Sequence, residues 1–375
     1  VKADIAVIGG GIAGASAAAE LAAGASVVLL EREARCGLHA TGRSAASFTE
    51  AYGHTLIRRL ARASRPFLET PPDGFSAVPL LRPRGMVTVA RADQVARLAA
   101  DLAEAQALVP EIRPIPVDEV EALVPILRPG HFAAAFIEPG QREIDVDALH
   151  QGFLRLARGR GAQVLTGAGV EAIARDGPGW RIATAAGPVQ AGVIVNAAGA
   201  WADAVAGLAG VAPLGLTPYR RTAFQVAVPE GLASAGWPMI NDVDEAFYFK
   251  PDAGRLFVSP GDATPSAPMD AWPEEMDIAI GVDRLEAATT LRVRRVLHSW
   301  AGLRTFAPDR VPVAGMDDAA APGFFWLAGQ GGYGIKTAAA LARITAGLIL
   351  HGAFPDDLAA AGIDPAALSP ARLRA

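Results

Sequence analysis

The stretch IAVIGGGIAGASAAAELAAGASVVLLE, residues 5–31, constrains this chain more than any other. A short apolar run leads into Gly9, Gly11 and Gly14, a small-residue segment follows, and a second apolar run ends on Glu31. That order predicts a βαβ unit, with a helix over 12–23 and the second strand over 26–31. Each glycine has its own task. Gly9 permits the tight turn, Gly11 lets a pyrophosphate approach the backbone, and Gly14 lets the helix lie close to the strand. The helix N-terminus, with Ile12 and Ala13 in its first turn, offers free N–H groups and a partial positive charge to phosphates. Glu31, 22 residues after Gly9, stands where a carboxylate accepts from ribose hydroxyls. The unit predicts a dinucleotide site and does not by itself separate FAD from NAD.

The chain has 375 residues, enough for two domains or one large α/β unit with an insertion. Its formal net charge of -5 argues against nucleic acid as a partner. Cys36 is the only cysteine, and the six histidines show no metal-like spacing, so neither a disulfide framework nor a metal site is expected. The histidines read as surface or capping residues, and Asp145, Asp147 and Asp203 as helix caps. The first strand begins so near the start that no signal peptide is expected. The apolar stretch 193–216 carries Asn196 and Asp203 and reads as strand, turn and short helix rather than a membrane span. The expectation is a cytoplasmic protein, in solution or at the periphery of the inner membrane.

Residues 54–69 read as a helix, MVTVA at 86–90 as a strand and 92–106 as a helix. From 132 the pattern gives strand, turn and a helix capped by Asp145 or Asp147; residues 163–201 give a strand meander ending in VIVNAAG. Between about 215 and 310 strands and turns appear without α/β alternation. FFWLAGQGGYGIKTAAALARITAGLILHG then restores strand, glycine turn and helix. The expected class is α/β. A Rossmann-like nucleotide-binding domain would be assembled from residues 1–80, 140–212 and 311–375, with a sheet-rich α+β substrate domain from 81–139 and 213–310.

TGRSAASFTEAYG, residues 41–53, is small and polar where a long cofactor would continue past its pyrophosphate. AGQGGYGIKTAAA, residues 328–340, makes a second glycine turn feeding a helix. Such a helix N-terminus stabilises the negative charge that builds on the N1–C2=O edge of a reduced flavin. Two glycine-turn-helix units at opposite ends of the chain favour noncovalent FAD over NAD.

The strings TGRSAA, AYG, ALHQGFLR, VNAAGAW, RRTAF, FYFKPDAG, WAGLRTF and GFFWLAGQGGYGIKT resemble the D-amino-acid oxidase superfamily of FAD-dependent amine oxidoreductases, and within it the bacterial D-arginine dehydrogenases. The likeness extends from the first strand to SPARL near the end of the chain. Beyond the glycine turn and Glu31, it implies cofactor contacts at Arg32, Thr41, Arg43, Ser44, Ala45, Val170, Ala198, Gly199, Trp201, Arg304, Gly331, Gly332, Tyr333, Gly334, Ile335 and Lys336. It also implies that Arg221, Arg304, Tyr248 and Tyr52 hold a substrate carboxylate, with Ser47, Met239 and Gly332 lining the pocket. The chemistry agrees: a guanidinium fork takes a carboxylate bidentately, and tyrosine hydroxyls orient it at little entropic cost. Core packing is the competing role for Tyr52, Tyr248 and Met239.

Two departures bear on selectivity. The D-arginine enzymes carry a glutamate just before the strand matching MVTVA, where this chain has Gly85, and a histidine where it has Ser47. Arg82 and Arg84 stand near the lost acid, so neutral side chains are expected to be preferred, unless Glu50 supplies the missing charge.

The implied reaction is oxidative deamination of a D-amino acid. Hydride passes from Cα to flavin N5, and the imino acid hydrolyses to a 2-oxo acid and ammonia. Related sarcosine oxidases carry a lysine for O2 activation in the strand matching GRLFVSP, which has none here; Lys2, Lys250 and Lys336 are the chain's only lysines. A dehydrogenase passing electrons to a quinone or another carrier is therefore expected. The alternatives are a glycine- or sarcosine-type amine oxidase and a noncatalytic flavin-binding subunit.

Overall fold

The structure, a computed structural model, describes residues 1–317 and 321–374. Its βαβ unit consists of strand Lys2–Ile8, helix Ile12–Leu21 and strand Val27–Leu30, the strands pairing in parallel. Gly9 has φ +109°, and a Cβ there would stand 2.4 Å from the Ala197 carbonyl oxygen, so no side chain fits. Ala15, Ala17, Ala18 and Ala19 are fully buried, which brings the helix down onto the sheet.

Parallel strands run in the order Gln163–Leu165, Val27–Leu30, Lys2–Ile8, Val189–Asn196 and Phe324–Ala328. Val313–Met316 adds an antiparallel edge, and Val170–Asp176 with Gly179–Thr184 forms the meander beside the start of Val189–Asn196. A parallel sheet needs both faces covered. Helices Ile12–Leu21, Val146–Gly159 and Gly334–Leu350 supply one cover, with Leu149, Phe153 and Leu341 in the shared core. On the other face Trp180, Phe324 and Trp326 pack against the short helix Ala202–Leu208. Asp145, rather than Asp147, caps Val146–Gly159 by accepting from Ala148 N at 3.0 Å. Asp203 is not a side-chain cap; its two oxygens clasp Leu214 N and Leu216 N.

A second, mainly antiparallel sheet is ordered Thr264–Pro265, Thr217–Ala227, Arg255–Ser259, Tyr248–Asp252, Met239–Asp242, Met86–Ala90, Ala134–Glu138 and Arg113–Pro114, with His298–Phe306 also pairing Thr217–Ala227. Strand alternation divides its residues between two environments. Phe224, Val226, Phe249, Leu256 and Val258 share a core with Leu285. Arg221, Ala223 and Phe257 take the other parity and line the cleft beside the glycine turn. Between 215 and 310 lies a helix the sequence reading does not anticipate, Glu275–Ala288. Along it only Gly281, Leu285 and Ala288 are buried, a stripe too sparse to read as helical period. Among the described residues no helix is long and apolar enough to cross a membrane.

Candidate active site

A cleft of about 430 Å³ connects the glycine turn to the second sheet. Gly9, Gly11, Ile12 and Ala13 line it together with Glu31, Arg32, Thr41, Arg43, Ser44, Ala45, Val170, Ala198, Gly199 and Trp201. Gly331, Gly332, Gly334 and Ile335 enter from the second glycine turn, and Arg221, Tyr248 and Arg304 from the second sheet. Glu31 accepts from Gly10 N and Glu33 N, both at 2.8 Å, and so fixes the turn as well as facing the cleft. Thr41 Oγ1 accepts from Ile12 N at 2.9 Å, occupying one free donor of the helix N-terminus. Trp201 packs against both the Arg32 guanidinium, 4.3 Å from its ring centroid, and the His39 ring at 4.9 Å. Arg43 borders the cleft, but its guanidinium is spent on Asp270 and the carbonyls of Ala271 and Ala301, tying its turn to strand His298–Phe306 and the 270–271 loop.

A smaller cavity of about 80 Å³ shares Arg221, Arg304 and Gly332 with the cleft and adds Tyr52, Glu245, Arg310 and Tyr333. Arg304 pairs with Tyr219 in the ladder and Arg221 with Gly302, so register and parity put both guanidinium groups on one face. Arg304 Nη2 donates to Tyr248 Oη at 3.3 Å, and Tyr52 donates to Glu245 Oε1 at 2.6 Å. The two phenols are driven in opposite directions. Burial opposes ionisation of Tyr248, but Arg304 and Arg221 outweigh it and bring its pKa down. Burial and then the Glu245 charge hold Tyr52 well above the ordinary range.

Two features fit a long dinucleotide. Gln330, beside the second glycine turn, lines the cleft with its buried Nε2 lacking any protein partner. A Cβ on Gly11 would meet only Thr41 Oγ1, at 3.3 Å, so bare backbone faces the cleft there. The model of a family described as FAD dependent oxidoreductase (DAO) matches residues 4–348. The chain belongs to this family.

Its cofactor is FAD, and the α/β architecture is that of the family. Over 260 residues this FAD-dependent oxidoreductase is 26% identical to mitochondrial dimethylglycine dehydrogenase of Mus musculus, covering 64% of the chain and 30% of the relative. Over 261 residues it is 29% identical to 4-methylaminobutanoate oxidase (formaldehyde-forming) of Paenarthrobacter nicotinovorans, covering 67% and 31%. The chain thus spans about 30% of the length of these curated relatives. The crystal structure of L-proline dehydrogenase from P. horikoshii superposes with a TM-score of 0.84 at 21% identity, covering 100% of this chain and 98% of that one. Glycine oxidase from Geobacillus kaustophilus gives 0.82 at 21%, covering 94% and 96%.

Several expected site residues of the oxidoreductase lie outside the cleft. Gly14 packs under the turn, where a Cβ would stand 1.9 Å from the Gly9 carbonyl oxygen. Tyr333 and Tyr52 face the smaller cavity only. Ser47 lines neither cavity, because its hydroxyl is turned to Gln141 Nε2. Met239 is also outside both, packed in a buried cluster with Met86, Tyr248 and Phe257. The Lys336 side chain points away from the cleft to the carbonyls of Thr49 and Tyr52. Glu245, Arg310 and Gln330 are among the cavity-lining residues that sequence reasoning misses. Gln330 carries a signal in hindsight, a long polar side chain set among glycines; Glu245 carries none. His150 is neither exposed nor a cap: it is buried, with Nε2 2.8 Å from the Gly10 carbonyl oxygen, and braces the glycine turn. Burial and Glu31 push the Cys36 thiol up to about 11, which disfavours the nucleophilic thiolate.

Proposed function

We propose that the protein oxidises the Cα–N bond of a D-amino acid and acts as a dehydrogenase. The observation that carries this reading is the convergence of Arg304, Arg221 and Tyr248 on the flavin cleft and of Arg304, Arg221 and Tyr52 on the smaller cavity that shares its walls. Arg304 takes the substrate carboxylate, Tyr248 and Tyr52 orient it, and Gly332 leaves the guanidinium room, since a Cβ there would stand 3.2 Å from Arg304 Nη1. When bound, FAD supplies the two-electron oxidant. The imino product hydrolyses to a 2-oxo acid and ammonia.

The relatives' names support an amine that also bears a carboxylate: dimethylglycine, 4-methylaminobutanoate, glycine and L-proline. The D configuration rests on the sequence strings shared with the D-arginine dehydrogenases. The same names favour, as a second reading, a secondary amine of the sarcosine type. For the dehydrogenase assignment, Lys250 is held by Glu143 at 2.7 Å and Lys336 by backbone carbonyls, so neither amine lines the cleft. Electrons would pass to a quinone or another carrier.

The test is an anaerobic panel of D-, L- and N-methyl amino acids read by flavin bleaching, followed by reoxidation with O2 or a soluble quinone. Bleaching by D-amino acids and faster reoxidation by quinone are expected. Bleaching by N-methylglycines alone, with rapid peroxide formation, would replace this reading by the second.

A further inference from the structure

Lys336 lies in the first turn of helix Gly334–Leu350, immediately after the glycine turn that lines the cleft, and its side chain is buried at 3% exposure. Its Nζ donates to Thr49 O and to Tyr52 O, both at 2.9 Å. It also stands 5.6 Å from the centroid of the Tyr52 ring and 5.4 Å from that of Tyr333. Thr49 Oγ1 in turn donates to Glu138, another buried residue, at 2.8 Å. An amine in this place is costly to bury, and an apolar side chain of similar length would fill the same volume without that cost. What the amine adds is a pair of directed hydrogen bonds to one short stretch of backbone.

That stretch needs holding. Residues 49–53 lie between the two-residue strand Ser47–Phe48 and helix Thr55–Glu69 and belong to no regular element. They carry Tyr52 into the smaller cavity, where it shares walls with Arg304 and Gly332. We propose that Lys336 is a positioning residue for substrate binding: it clamps residues 49–52 to the flavin-side helix and thereby sets Tyr52 against Arg304. It touches neither substrate nor reacting atoms and acts through Tyr52. The inference rests on the reading of the smaller cavity as part of the substrate site.

The test compares Lys336→Met, Tyr52→Phe and the double variant as holoenzymes, by anaerobic steady-state kinetics with an artificial acceptor and by hydrogen exchange of the peptide spanning residues 46–56. Lys336→Met should retain its flavin, speed exchange in that peptide, and raise KM about tenfold with kcat within about twofold. In the Tyr52→Phe background the same change should add less than about twofold, because both act on one contact. Lys336→Gln, which still donates to one carbonyl, should fall between, and it serves in place of Lys336→Met should that variant not fold. Unchanged exchange, additive penalties, or a loss of kcat at constant KM would each overturn the proposal. A Tyr52→Phe enzyme with wild-type KM would overturn the substrate reading of the cavity and take the proposal with it, whereas an impaired Tyr52→Phe beside a normal Lys336→Met sinks the proposal alone.

Discussion

A Cβ on Gly14 would stand 1.9 Å from the carbonyl oxygen of Gly9, whereas one on Gly11 would meet nothing closer than Thr41 Oγ1 at 3.3 Å. Two glycines of one fingerprint are therefore present for different reasons, one for packing and one for access. Gly14→Ala must push helix Ile12–Leu21 off strand Lys2–Ile8 and should lower Tm by at least about 5 °C or prevent folding. Gly11→Val should instead purify as folded protein with little flavin, because its branches occupy the pyrophosphate path. Flavin absorbance and thermal melting check both, and a Gly11→Val protein with full flavin would show that the pyrophosphate takes another route.

Arg304→Met removes a charge-assisted partner from the proposed carboxylate clamp. Such bonds are worth roughly 1.5–3 kcal/mol, so substrate affinity should fall about ten- to a hundredfold. Amines lacking a carboxylate should be poor substrates of the parent enzyme and lose little more in the variant. Equal rates of flavin reduction by an amino acid and its decarboxylated analogue would show that Arg304 has been given the wrong role.

Burial pushes the Glu138 carboxyl up to about 7 from 4.5, and the Thr49 hydrogen bond and Lys336 offset this only in part. Between those values the folded state binds more protons than the unfolded one. The contribution to stability is then complete below about 4.5 and lost as pH rises through about 7. Glu138→Gln keeps an acceptor for Thr49 without titrating. The Tm of the parent relative to this variant should fall as pH rises from about 5 to about 8, and parallel curves would place the titration elsewhere.

The nucleotide end of the site is legible in the sequence because strand, turn, helix and acid lie within residues 5–31, and each has a local signature. Arg221 and Arg304 have no such signature. Their meeting depends on the pairing of Thr217–Ala227 with His298–Phe306, a register that periodicity does not record, so likeness to a family is what singles them out. Glu245 escapes both routes: it is a positive-φ residue at 57°, and it reaches Tyr52 across 193 positions. Local reading leaves Glu50, two residues from Tyr52, between a surface position, which it favours, and a place beside the substrate. Its carboxylate turns to Arg65 at 3.2 Å and lines neither cavity.

Selectivity turns on which charges face the substrate. Arg82 is exposed beside Asp145, and Arg84 is held by Glu143 and the carbonyls of Ala235 and Trp237, so the two arginines expected to repel a cationic side chain line neither cavity. Repulsion of such a tail would have to come from elsewhere. Arg221, Arg304 and Arg310 face the smaller cavity, while the two acids that line it are already engaged, Glu245 by the Tyr52 hydroxyl and Asp262 by Thr222 N and Oγ1. A guanidinium tail entering there would lose hydration beside like charges without a free partner. D-Leu, D-Met or D-Phe should therefore exceed D-Arg in kcat/KM by about tenfold or more. The measurement is kcat/KM for D-Arg and D-Leu in the parent, Glu245→Gln and Glu50→Gln. A preference for D-Arg that collapses only in Glu245→Gln would mean that this acid releases Tyr52 and takes the cationic tail itself.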